Sequence, residues 1–63
     1  MVLQIADHGS IVILTPMDDD SREWFEEKVN TEQMWGNGYV VERRYVSDIL
    51  EGFKEEGGSF SYV

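Results

Sequence analysis

Asp19, Glu23, Glu26 and Glu27 recur at three- and four-residue spacing, and Asp48, Glu51 and Glu55 repeat the pattern further along. On a helix, residues three and four apart hold their Cβ atoms about 5–6 Å apart. Each set, with Asp20 beside the first, would therefore form a row of carboxylates. DNA carries one phosphate per ~3.4 Å of axis on each strand. A rigid acidic row approximates such a track, and a basic groove accepts it by the charge complementarity that steers nucleic acid. Like charges at i, i+4 cost a helix about 0.2–0.5 kcal/mol per pair, and that cost recurs here. Two other readings of the rows stay open. Glu also serves as a solvated helix former on an ordinary surface, and an acidic patch can be specific to one protein partner.

The remaining side chains offer little competing chemistry. His8 is the single histidine, placed in a turn, and cysteine is absent, so neither an activated thiol nor a Ser-His-acid arrangement is supplied. Asp18-Asp19-Asp20 fails the calcium-loop pattern, because Arg22 stands at the fifth position and Glu23 replaces the required glycine. Transition-metal sites need several His or Cys ligands. Gly36-Asn37-Gly38 is too short for a phosphate loop and precedes no helix start. A domain this small has little volume to raise a carboxyl pKa by burial. No catalysis, metal or cofactor is expected.

Thirteen acids against five basic side chains give a net charge of −8 and a pI near 4.2. Seven acids fall between Asp18 and Glu32 and four between Asp48 and Glu56. This excess repels nucleic acid and anionic membrane and attracts a basic surface. The expected partner is the basic nucleic-acid-binding surface of a protein, with no direct nucleic-acid binding, and self-repulsion favours a monomer over a dimer. Sixty-three residues suit one domain, 1–63, and an apolar fraction of 41% with 13% aromatics sets it apart from a disordered acidic tail. Without cysteine, a signal-like start or an apolar run near ~20 residues, the expected location is the cytoplasm of a bacterium or infected host cell.

Elements to position these rows are legible. Val2 to Ala6 and Ser10 to Thr15 read as strands joined at Asp7-His8-Gly9, and Ile11 to Leu14, apolar on both faces, reads as a central strand. Pro16 ends it. A helix starts within Asp18 to Ser21, capped by Asp18 or by Asp20 with Glu23, and stops near Asn30. Trp24, Phe25, Lys28 and Val29 line one face, while Glu23, Glu26 and Glu27 take the other. Thr31 to Met34 is ambiguous, and Trp35-Gly36-Asn37-Gly38 is a turn. Tyr39 to Tyr45 alternates as a strand, with helix possible from Glu42. Val46, Ile49, Leu50 and Phe53 predict a helix from about Val46 to Glu56, capped by Ser47 and stopped by Gly57-Gly58. Ser59 to Val63 closes the sheet. The order β-β-α-β-α-β predicts an α+β two-layer domain with two acidic helices on a mainly antiparallel sheet. The aromatics read as core, with Trp35 the one expected to be partly exposed and to anchor a partner. Arg43 and Arg44 are expected to pair with neighbouring carboxylates.

Two stretches carry a resemblance: Gly9 to Pro16 running into Ser21-Arg22-Glu23-Trp24, and Trp35-Gly-Asn-Gly-Tyr-Val-Val-Glu-Arg-Arg-Tyr-Val-Ser-Asp-Ile-Leu-Glu-Gly52. Together they resemble small acidic proteins of phages and prophages that include anti-CRISPR inhibitors of type I systems. The shared residues are structural and name no catalytic group. The resemblance implies a non-enzymatic inhibitor that binds a component of a type I CRISPR-Cas surveillance complex (Cascade) and blocks target DNA binding. The acidic side chains Asp19, Asp20, Glu23, Glu26, Glu27, Asp48, Glu51 and Glu55 would then be the contact surface, as a DNA mimic. The alternative is a small structural or interaction protein of a mobile element, acting through dimerisation, for instance at Ser59 to Val63, or through another protein partner.

Overall fold

The computed structural model describes residues 1–29 and 34–63. β-Branched residues and short turns set the first hairpin, β1 (Val2–Asp7) and β2 (Ile11–Pro16), with Gly9 at φ +86° in the loop. Helix α1 (Asp19–Lys28) follows, then β3 (Met34–Trp35), β4 (Gly38–Glu42), helix α2 (Arg43–Glu55) and β5 (Ser59–Tyr62). The sheet order is β3-β4-β2-β1-β5. Three of its four pairings are antiparallel, and β5 runs parallel to β1. The α+β two-layer architecture expected from the sequence is present, with β2 central. One strand was missed: the turn signal at residues 35–38 joins a short hairpin, β3 to β4. Its two-residue turn has Gly36 at φ +62°, the first-position glycine of a type II′ turn. Of the ambiguous stretch Thr31 to Met34, only Met34 lies within the described residues.

Both helices pack on one side of the sheet. Leu3, Ile5, Val12, Leu14 and Val41 meet Phe25 of α1 and Val46, Leu50 and Phe53 of α2 in a single core. The predicted stripe Val46, Ile49, Leu50 and Phe53 faces that core, with Ile49 only partly buried. Between the helices, Trp24 stands edge-on to Phe53 (centroids 5.2 Å, 80°) and to Phe25 (5.3 Å, 67°). Gly52 lies beneath the Trp24 ring.

The helix ends follow local chemistry. Asp18, not Asp20, caps α1: its carboxylate accepts the Ser21 N–H at 2.9 Å. The α2 start follows the earlier of the two openings the sequence allowed, near Glu42 and not Val46. It begins at Arg43, one turn before the expected Ser47 cap, so Tyr39 to Tyr45 is strand only to Glu42. The cause is tertiary. Arg43 N–H donates to the Ser10 carbonyl (3.3 Å), and its guanidinium binds the Gly9 carbonyl (2.7 Å) and the Asp7 carboxylate, tying this turn to the β1–β2 loop. At the other end Gly57 (φ +88°) is the left-handed stop, with Gly58 N–H on Phe53 O and Gly57 N–H on Lys54 O, both 3.0 Å. This is a Schellman motif.

Two glycines make opposite predictions. A Cβ at Gly38 would stand 2.4 Å from Ile13 Cγ2 and 2.9 Å from Thr15 Oγ1, whereas one at Gly52 would stand 3.5 Å from the Trp24 ring, an ordinary contact. Gly38→Ala should lower stability in urea denaturation by about 1–3 kcal/mol. Gly52→Ala, inside a helix, should raise it by about 0.5–1 kcal/mol.

Candidate functional site: an acidic helical layer

Sheet register separates two surfaces. Leu3 and Ile5 point into the core, so Val2, Gln4 and Ala6 lie on the side without helices; pairing carries Ile11, Ile13, Thr15, Gly38, Val40, Glu42, Ser59 and Ser61 onto the same open face. Among the described strand residues Glu42 is the one acid there, and it is bridged to Arg44 Nε at 3.0 Å. The other surface is the helical layer. Asp19, Asp20, Glu23, Glu26 and Glu27 are exposed on α1, and Asp48, Glu51 and Glu55 are exposed on α2. Because one core holds both helices to one side of the sheet, these eight predicted residues share one layer of the molecule.

Ion pairs leave most of that layer uncompensated. All three arginines are used in ion pairs: Arg22 with Asp19 (2.9 Å), Arg43 with Asp7, and Arg44 with Glu42. The expectation for Arg43 and Arg44 holds, and Arg44 also lies 4.9 Å from the Tyr45 ring centroid. Of the eight helical carboxylates, Asp19 is the one that enters an ion pair among the described residues. Exposed pairs of this kind contribute about 0–1 kcal/mol.

α1 is fixed in this layer by a residue the sequence reading used only as part of a helix start. Ser21 is fully buried, and its Oγ accepts the Val2 N–H at 2.7 Å. Its hydroxyl proton is shared between the Asp18 carboxylate (2.5 Å) and the Val2 carbonyl (3.0 Å). The first turn of α1 is thereby anchored to the start of β1. The signal was present as a small polar residue on the face of Phe25, one turn earlier.

The other chemistry-bearing groups among the described residues lie apart from this layer. A cleft of about 190 Å³ has Asp7, Arg43 and Tyr62 at its exposed rim over Val12, Val46 and Leu50. Asp7, its one carboxylate, is already bound to Arg43. Among the described residues no three His, Cys, Asp or Glu side chains gather as metal ligands, and no helix is long and apolar enough to cross a membrane. His8 packs against Trp35, ring centroids 6.0 Å apart, and Trp35 is 65% exposed while Trp24, Phe25 and Phe53 form the core contact. No protein-family model, curated protein or solved structure matches this chain.

Two structural carboxylates titrate low. The Gly9 N–H and then the Arg43 guanidinium hold Asp7 below the usual carboxylate range; the Ser21 hydroxyl and then its N–H do so for Asp18. The unfolded chain binds protons more readily at both sites. Their stabilisation is thus complete above the ordinary value of about 3.9 and disappears as pH falls through the lower folded values. These two groups should contribute a fall in melting temperature of the wild type between about pH 5 and pH 2. Asp7→Asn with Asp18→Asn, which retains a capping side chain, should flatten that fall.

Proposed function

We propose that this chain is a non-enzymatic binding protein whose acidic helical layer occupies a basic nucleic-acid-binding surface and excludes nucleic acid from it. The observation that carries this reading is the segregation of charge. Eight exposed carboxylates lie in one layer with a single ion pair among the described residues, while the opposite sheet face is nearly free of charge. Lys28 and Lys54 share this layer, but among the described residues neither closes an ion pair with these carboxylates, so the layer keeps a strong net negative charge. The choice of target comes from the resemblance to small phage inhibitors: a component of a type I CRISPR surveillance complex in the bacterial cytoplasm, held away from target DNA. Each of Asp19, Asp20, Glu23, Glu26, Glu27, Asp48, Glu51 and Glu55 would stand in for a phosphate opposite Lys or Arg.

The alternative, a small interaction protein of a mobile element, is favoured by one observation, the free edge of β5, and is taken up below.

Retention of the chain by an immobilised type I surveillance complex should compete with target DNA and weaken steeply with salt. Glu23→Lys with Glu27→Lys should cut affinity about tenfold or more, since tenfold corresponds to only ~1.4 kcal/mol. Gln4→Lys, on the open face, should leave it unchanged. Binding that ignores salt and DNA, or that responds to both sets of variants alike, would remove this reading.

A further inference from the structure

Charged residues make up 29% of the chain, yet residues 57–63 carry no charged side chain, and Ser59–Tyr62 within them form the edge strand β5. Sheet edges are normally blunted by charge, proline, bulges or shortness. The opposite edge, β3, is two residues long. β5, four residues long, has no charged side chain, proline or bulge, and its register with β1 is unbroken from Ser59 to Tyr62.

The parallel ladder settles which backbone groups are free. Ser59 N–H donates to Met1 O and Val63 N–H to Ile5 O, both at 2.9 Å, and Ser61 is paired with Gln4. Residues 59, 61 and 63 therefore turn their backbone groups toward β1, and alternation turns the N–H and C=O of Phe60 and Tyr62 outward. The side chains of Phe60 and Tyr62 lie on the helical side, in register with Leu3 and Ile5, and Tyr62 is 64% exposed.

We infer that a second copy of this chain pairs with this edge, β5 antiparallel to β5 about a two-fold axis at Ser61, joining two five-stranded sheets. In that register Phe60 of one copy faces Tyr62 of the other, twice. Each facing pair exchanges two backbone hydrogen bonds, so every outward group at residues 60 and 62 is satisfied. Two aromatic cross-strand pairs accompany them. The edge is self-complementary because its free groups are symmetric about residue 61, as an isologous contact requires. Charge selects the same place. Two copies of net charge −8 repel, and the stretch 57–63, free of charged side chains, lets them approach with least opposition. A two-fold axis normal to the sheet leaves both helical layers on one side, doubling the acidic surface.

The inference does not require the proposed function, bears on the alternative named above, and departs from the monomer expected on charge alone. A contact of single edge strands falls below the ~1,200 Å² of a standard interface, so the dimer is weak, and salt strengthens it by screening repulsion. Binding to a basic partner responds to salt in the opposite sense, which keeps the two tests distinct.

Sedimentation equilibrium of the intact chain, from micromolar to millimolar in low and high salt, decides the matter. Tyr62→Pro removes an outward N–H and no bond of the β1–β5 ladder, and Ser61→Lys places like charges opposite each other at the axis. The wild type should approach dimer mass at millimolar concentration in high salt. Both variants should stay monomeric, at least tenfold weaker in self-association, with unchanged far-UV circular dichroism. A wild type that stays monomeric throughout would overturn the inference. So would a dimer that both variants retain, and its loss in Trp35→Ala would then assign it to the open face.

Discussion

The contact of Trp24 with Phe53, continued through Phe25, is the constraint on which the rest of the molecule depends. It brings α1 and α2 together over one face of the sheet, with centroid separations of 5.2 to 5.9 Å among the three rings. Once both helices are committed to that side, their outward faces are the place where eight carboxylates can remain in water. The opposite face of the sheet is left to small, β-branched and neutral side chains, with Trp35 and His8 near its rim. Segregation of charge thus follows from where the aromatic side chains are packed.

Cations are spent on architecture. Arg43 ties the first turn of α2 to the β1–β2 loop, and Arg44 answers the one strand carboxylate on the open face. Arg22 pairs within α1. None spans the two acidic rows. Arg22, Lys28 and Lys54 stand among the helical acids, yet among the described residues only Arg22 closes an ion pair there, with Asp19. Arg43 and Arg44 answer carboxylates outside the two rows, so the helical layer keeps a strongly negative field.

Much of this arrangement was legible in the sequence. The β-branched-rich runs Val2 to Ala6 and Ser10 to Thr15, the stripe Val46-Ile49-Leu50-Phe53 and the Gly57-Gly58 stop each obey a local rule, and each gave its element within a residue or two, α2 starting earlier. The features that were missed are set by contacts distant in sequence. Arg43 starts α2 because Asp7, Gly9 and Ser10 are there to receive it, 33 to 36 positions away, and no local cap announces this. Ser21 gains its role from Val2, 19 positions earlier. The parallel direction of β5 depends on α2 crossing from β4 to the far side of β1, which a strand pattern alone does not encode. The acidic rows were fully legible, whereas their shared layer was not, because it depends on the meeting of Trp24 and Phe53.

The central claim is that both rows act as one surface on a basic site. Its most direct measurement is the salt dependence of affinity for a type I surveillance complex. The wild type would be compared with chains neutralised at Glu23, Glu26 and Glu27, at Asp48, Glu51 and Glu55, and at both sets. If the rows act together, the slope of log affinity against log salt grows shallower with each set and shallowest with both, as released counterions diminish. A slope that neither set alters would contradict the claim.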